Sequence, residues 1–227
     1  MIKNRTVQLM FQTAFCTLGI LGIIASFGTF NYEFRSDFYV HFTNLSNYLC
    51  IAIMFVELIE TIKKNVNKYV TKLPLLKFIG LLAILLTFII FNFILAGDRE
   101  PKLNFYINSV LFHIVLPIMY LIDWILFYEH KKIKWYYPLI SVAFPVVYAI
   151  FIFIRAWILD FNPEAPYIYP YFFLNLDELG VIGVIKWIGI LSVVFVVIGY
   201  IMFGIDKILN KNKNNLTIKN IHEGESK

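Results

Sequence analysis

Six apolar segments of about twenty residues each constrain the fold more than any other feature of this sequence. A helix of about 20 apolar residues crosses the hydrocarbon core of a bilayer and satisfies its backbone hydrogen bonds internally. Only 15% of the residues are charged, and the polar intervals are too short for a soluble domain. We therefore predict an all-α integral membrane protein in which residues 1–205 form a bundle of six transmembrane helices. The predicted spans are residues 6–28, 38–59, 75–96, 104–128, 136–158 and 181–205.

Basic residues are concentrated in alternate intervals between these segments, and this pattern orients the chain. They lie in the N-terminus, in the second and fourth intervals and in the C-terminal segment, whereas the other intervals are mainly acidic. Because loops rich in Lys and Arg remain in the cytoplasm, we expect both termini to be cytoplasmic in a protein of the plasma membrane. The segment 206–227 is polar and low in aromatic residues, which predicts a disordered cytoplasmic tail.

The residue types that most often hold metals or cofactors are not arranged for that purpose. Cys16 and Cys50 fall inside apolar segments, and the 4 histidines lack the spacing of metal ligands. We therefore expect no metal and no cofactor. The basic charge lies on segments that would face anionic lipid headgroups. We expect a membrane lipid or lipid-like molecule as the partner, with no nucleic acid and no soluble partner.

The second apolar segment opens with many polar side chains for a membrane span, in the stretch HFTNLSNYLC. Polar atoms confined to one stripe of a membrane helix turn that stripe toward other helices. At about 100° per residue, such a stripe collects Thr43, Asn47, Cys50, Met54 and Glu57, with Ser46 at its border, Asn44 to the side and His41 pointing away.

The fourth segment carries its own polar stripe, in which His113 is the only ionisable residue. At 1.5 Å per residue, Thr43 lies about 7.5 Å and His113 about 13 Å from the same membrane surface. Asn92 falls in the same layer, whereas Asp123 lies near the cytoplasmic end, where water is close. We therefore predict that the second and fourth helices are neighbours, with Thr43 and His113 both facing the interior. The stripe consists of Tyr106, Ser109, His113, Pro117, Tyr120 and Trp124.

These side chains have the chemistry of nucleophilic catalysis. A threonine hydroxyl such as Thr43 needs an adjacent base, and a neutral imidazole such as His113 accepts a proton near physiological pH. The imidazole would be oriented by the side chain of Ser109 or by a backbone carbonyl that Pro117 leaves without its helical donor. The amides available to stabilise an oxyanion are those of Asn44, Asn47 and Asn92.

Three functions fit these residues. The first is a hydrolase of lipid esters that works from the outer half of the membrane. The second is a transporter of a small molecule or lipid, which would need polar residues across the midplane; apolar or bulky residues follow the two polar clusters inward and favour a blind pocket. The third is a structural or regulatory membrane protein, which would tolerate Thr43→Ser and His113→Gln.

Three short motifs, in this order and in a chain with six spans, resemble the androgen-induced gene family and its bacterial six-span relatives. They are FTNLSN at 42–47, HIVLP at 113–117 and YIYPY at 167–171. Animal members of that family are intramembrane threonine hydrolases that cleave fatty acid esters of hydroxy fatty acids. The resemblance implies that Thr43 is the nucleophile and His113 the catalytic histidine. It also matches the family's Tyr-Pro pair to Tyr169 and Pro170.

Overall fold

The computed structural model describes residues 4–31, 34–63, 73–94, 107–130, 132–159 and 168–225, and within these ranges all regular structure is helical. Six helices in the described ranges are long and apolar enough to cross a membrane, which confirms the predicted all-α architecture and the predicted number of long apolar helices. The helices are α1 Arg5–Ser26, α2 Phe42–Lys63, α3 Pro74–Phe93, α4 Ile107–Phe127, α5 Tyr137–Leu159 and α6 Leu176–Glu225.

Two helix starts differ from the predicted spans, and both differences have local causes. The second helix begins at Phe42 instead of 38, because residues 36–40 form turns in which the Val40 N–H donates to the Asp37 carbonyl at 2.9 Å. The last helix begins with a short turn at Leu176. Its direction changes at Gly180, which has a φ of 62° that glycine adopts without strain. The predicted end of the third span at 96 and the predicted start of the fourth span at 104 lie outside the described residues.

Helices α1 to α4 pack against one another. Helices α5 and α6 lie against α3 and against each other. Glycines allow α1 to approach its neighbours closely. A Cβ atom added to Gly19 would clash with the Ile51 side chain of α2, and one added to Gly22 would clash with the Phe112 ring of α4. Small residues serve this purpose in membrane helices, where packing replaces the hydrophobic effect as the force between helices.

Two helices contain a π-helical turn close to the predicted site. These turns are Ile90–Ile94 at the end of α3 and Leu111–Val115 within α4. In the second turn the Leu116 N–H donates to the Leu111 carbonyl, five residues back. Such single-turn insertions occur often at functional sites, because the extra residue changes the direction of neighbouring side chains.

Two acidic side chains are more deeply buried than the sequence suggests. Asp123, expected close to water, is only 2% exposed, and its Oδ2 accepts a hydrogen bond from Lys77 Nζ at 2.5 Å. Asp206, assigned to the polar tail, is fully buried, and its Oδ1 lies 3.0 Å from Nδ1 of His130. The helix also continues to Glu225, through the segment for which the composition predicts disorder.

Candidate functional site at the start of α2

A cavity of about 470 Å³ lies between the start of α2, the end of α3 and the start of α4. Thr43 and His113 both line it, so both face the interior of the bundle as predicted. The second and fourth helices are in contact, because Asn47 Nδ2 of α2 donates to the Phe112 carbonyl of α4 at 3.0 Å. Predicted site residues that line the cavity are Thr43, Asn44, Ser109, His113 and Pro170.

Thr43 lies in the first turn of α2, where backbone N–H groups have no helical acceptor. The phenol of Tyr171 lies against this first turn. Its hydroxyl lies near the Thr43 side chain, the backbone N–H groups of Phe42 and Thr43, and the Tyr148 hydroxyl. Burial raises the pKa of Tyr171, and these donors offset only part of that effect. A neutral hydroxyl oxygen therefore sits against the predicted nucleophile, where a substrate carbonyl oxygen would find the same donors.

His113 is oriented by a backbone carbonyl of its own helix. Its Nδ1 lies 2.9 Å from the Ser109 carbonyl oxygen, which can only accept a hydrogen bond. The hydrogen is therefore on Nδ1, and Nε2 is the proton-accepting nitrogen. The ring also stacks on Phe91 with a centroid separation of 3.4 Å. Ser109 thus orients the imidazole through its carbonyl oxygen, whereas the sequence suggested its hydroxyl or a carbonyl freed by Pro117.

Pro117 leaves two backbone carbonyls of α4 without a helical donor. The side-chain amides of Asn47 and Asn92, which were predicted to stabilise an oxyanion, donate to these carbonyls instead. A residue other than proline at position 117 would donate its N–H to the Phe112 carbonyl in a π-helical turn, or to the His113 carbonyl in an α-helical turn. Proline has no N–H, so neither bond forms. Asn47 Nδ2 donates to the Phe112 carbonyl at 3.0 Å, and Asn92 Nδ2 donates to the His113 carbonyl at 3.3 Å. Neither amide is among the residues that line the cavity. Both therefore support the helix behind His113.

This arrangement predicts a measurable coupling between Asn47 and Pro117. Replacing Asn47 by leucine should lower the free energy of unfolding by about 1–2 kcal/mol, because the buried Phe112 carbonyl loses its donor. Pro117→Ala supplies a backbone N–H for that carbonyl, so the double variant should lose clearly less than the sum of the single variants. Unfolding in mixed micelles measures all four free energies, and strict additivity would contradict the assigned partnership.

Three residues before α2 belong to the cavity although the sequence did not identify them: Arg35, Asp37 and His41. Burial alone would raise the pKa of Asp37, but its hydrogen bonds and charge pairing with Arg35 bring it below its usual value. Burial lowers the pKa of His41, although Asp37 opposes the shift. The helical wheel placed His41 outside the polar stripe because it assumed a helix from residue 38. The helix begins at Phe42, so His41 lies before it.

Only one residue of the predicted Tyr-Pro pair lines the cavity, and the tyrosine near Thr43 is the residue that follows the pair. Tyr169 packs against the core and Pro170 lines the cavity, but the tyrosine that reaches Thr43 is Tyr171. The sequence Tyr-Pro-Tyr has one aromatic ring on each side of the proline, and either ring could face the cavity. Only the fold distinguishes them, because residues 172–174 form a short 3₁₀ turn that follows Tyr171.

Comparisons with protein-family models, with curated proteins and with solved structures find no match for this chain. Among the described residues there is also no group of three or more His, Cys, Asp or Glu side chains that could hold a metal ion. The arrangement of Thr43, His113 and Tyr171 around one cavity is therefore the basis for the function proposed below.

Proposed function

We propose that this protein is an intramembrane hydrolase of lipid esters, with Thr43 as the nucleophile and His113 as the general base. The observation that carries the proposal is that the two side chains, from different helices, line one cavity of about 470 Å³. The hydrogen bond from Nδ1 of His113 to the Ser109 carbonyl supports it, since it leaves Nε2 as the nitrogen that accepts the proton.

In the proposed reaction the Thr43 oxygen attacks the ester carbonyl while His113 Nε2 takes the hydroxyl proton. Collapse of the tetrahedral intermediate breaks the ester C–O bond, and the imidazolium returns the proton to the leaving alcohol. Water then attacks the acyl-threonine in the same way, which releases a carboxylic acid and restores the hydroxyl. The backbone N–H groups of Phe42 and Thr43 are the proposed oxyanion donors, and Tyr171 must move aside for the substrate carbonyl.

The composition of the cavity wall fits a lipid ester. Ile90, Phe91 and Phe172 supply apolar surface, and the ion pair of Arg35 with Asp37 supplies polar surface. Deeper in the bundle the cavity is followed by Cys50, Met54 and Tyr120, all of which are 0% exposed. A closed floor of this kind favours a pocket that binds an acyl chain over a transport pathway, which would need polar surface across the bundle.

Covalent labelling tests the proposed nucleophile. A fluorophosphonate probe should react with the purified wild-type protein and form a stable adduct on the Thr43 oxygen. Thr43→Ala should abolish labelling because the attacking atom is absent. Thr87→Ala is the matched control, since its hydroxyl lines the same cavity and bonds Ser46 at 2.9 Å. Equal labelling of wild type and Thr43→Ala would rule out the threonine mechanism.

We also propose that the helices span the plasma membrane with both termini in the cytoplasm, which places the cavity in the outer half. Single cysteines introduced at 60–74 and 129–135 should be shielded from an impermeant thiol reagent in intact cells. Those introduced at 97–103 and 160–178 should react, because the intervals that are poor in Lys and Arg face outward. The opposite labelling pattern would reverse the orientation and place the cavity on the cytoplasmic side.

A further inference from the structure

The side-chain amide of Asn47 joins the two helices that carry the proposed nucleophile and base. Its Nδ2 donates to the Thr43 carbonyl of its own helix, α2, at 2.8 Å and to the Phe112 carbonyl of α4 at 3.0 Å. A primary amide has two N–H groups, so one nitrogen serves both carbonyls. Phe112 immediately precedes His113. A single side chain therefore connects the backbone of the nucleophile to the residue next to the base.

The amide of Asn47 is fully buried and acts only as a donor. The residue is 0% exposed, and its Oδ1 has no hydrogen-bond partner within the described ranges. Since both contacted atoms are carbonyl oxygens, which only accept, the amide nitrogen is the atom that faces them. Hydrogen bonds in an interior of low dielectric constant are stronger than those at a surface. An unpaired buried acceptor is unfavourable, so packing alone would favour leucine, which has a similar shape.

The other polar side chains around this point make different connections. Ser46 Oγ donates to the same Thr43 carbonyl at 2.9 Å, but its second bond, also at 2.9 Å, is to Thr87 Oγ1 of α3. Asn92 of α3 donates to the His113 carbonyl of α4 at 3.3 Å. Each of these two contacts attaches one of the helices to α3, and neither joins α2 directly to α4.

We propose that Asn47 is a positioning residue that sets the distance between the Thr43 oxygen and the imidazole of His113. The role rests on the proposed function, because it matters for chemistry only if His113 takes the proton of Thr43. Proton transfer needs the two atoms within about 2.6–3.2 Å, and a displacement of about 1 Å can lower the rate by about 10²-fold. The two residues lie on separate helices, so a bond within one turn of both supplies the constraint that the chain itself does not.

Labelling kinetics at Thr43 separate positioning from stability. The final extent of fluorophosphonate labelling counts the folded sites, and the rate constant reports how well the base activates the nucleophile at each of them. Asn47→Leu should lower the rate constant by at least about tenfold at an unchanged final extent. Ser46→Ala is the matched control, since it removes the other side-chain donor to the Thr43 carbonyl and leaves the bond to α4. Its rate constant should stay close to that of the wild type.

An introduced thiol tests the same geometry without relying on hydrolysis. In Thr43→Cys, an imidazole within reach accepts the thiol proton and accelerates alkylation by N-ethylmaleimide, because the thiolate is the reacting form. Adding His113→Gln measures that acceleration, and peptide mass spectrometry separates the adduct from any on the two native cysteines, both buried. His113→Gln should make little further difference when Asn47→Leu is present, and it should keep its full effect when Ser46→Ala is present.

Failure of the positioning role and failure of the hydrolase function give different results. Wild-type rate constants for Asn47→Leu in both reactions would overturn the positioning role and leave the hydrolase intact. So would an alkylation rate in Thr43→Cys that His113→Gln leaves unchanged. A wild type that is not labelled at Thr43, but whose introduced thiol depends on His113 and Asn47, would keep the positioning role and exclude the hydrolase.

A second variant removes the effect of Asn47→Leu on folding. Adding Pro117→Ala supplies a backbone N–H for the Phe112 carbonyl and should restore the stability, but it creates no bond between α2 and α4. The labelling rate constant of the double variant should therefore stay well below that of Pro117→Ala alone. Recovery of the rate constant together with the stability would show that Asn47 acts on folding alone and would overturn the proposal.

Discussion

Replacing Lys77 by methionine should destabilise the bundle by about 3–5 kcal/mol, the cost of removing one partner from a buried ion pair. The methionine side chain fills a similar volume, so the loss arises from electrostatics and not from a cavity. Glu57 and Asp123 would then face each other without the ammonium that lies 2.6 Å and 2.5 Å from their oxygens. Unfolding of the purified protein in mixed micelles measures the difference.

Two further variants separate this explanation from a simple loss of packing. The triple variant Lys77→Met, Glu57→Gln and Asp123→Asn removes all three charges of this cluster and should recover most of the stability lost by Lys77→Met alone. Lys132→Met is the control, since Lys132 pairs with Glu129 at 3.3 Å near the surface, and such pairs contribute about 0–1 kcal/mol. A triple variant less stable than Lys77→Met would contradict the electrostatic account.

The six helices could be predicted because the length and apolar character of each segment leave few alternatives. A run of about 20 apolar residues must form a helix in a membrane, whatever its neighbours do. The ends of the helices were less predictable. The start of α2 depends on turns at residues 36–40, and the burial of Asp206 depends on a partner, His130, that lies 76 positions away in sequence.

The core of the candidate site followed from helical periodicity. Thr43 and His113 were placed on interior stripes at similar depth, and both line one cavity in the structure. The supporting contacts did not follow, because they depend on the π-helical turn at Leu111–Val115. An ideal helical wheel contains no such turn, so it gives no reason why Asn47 and Asn92 should bond the backbone behind His113.

Lys77 was missed for a different reason. A single lysine near the start of an apolar segment normally extends its ammonium toward the membrane surface, and nothing in the local sequence distinguishes that case from burial. Its partners lie on two other helices, 20 and 46 residues away. The one available signal was that Glu57 and Asp123 also lie within apolar segments, where acidic residues usually have partners.

The base of the proposed reaction can be tested separately from its nucleophile. His113→Gln should lower the rate of ester hydrolysis by about 10²–10⁴-fold, the usual contribution of a positioned general base. Glutamine can still donate to the Ser109 carbonyl, which the imidazole contacts at 2.9 Å, but it cannot take the proton from Thr43. The assay is the release of p-nitrophenol from p-nitrophenyl decanoate by purified protein in mixed micelles.

His41→Gln is the matched control because it removes the second imidazole of the same cavity. Burial lowers the pKa of His41 below its ordinary value of 6.5, so this ring is uncharged at pH 7.5 and its replacement leaves the charge of the cavity unchanged. We expect less than a tenfold loss of rate for His41→Gln. A larger loss for His41→Gln than for His113→Gln would transfer the role of base to His41. Equal activity of wild type, His113→Gln and Thr43→Ala would exclude hydrolysis at this cavity and favour a structural role for both polar stripes.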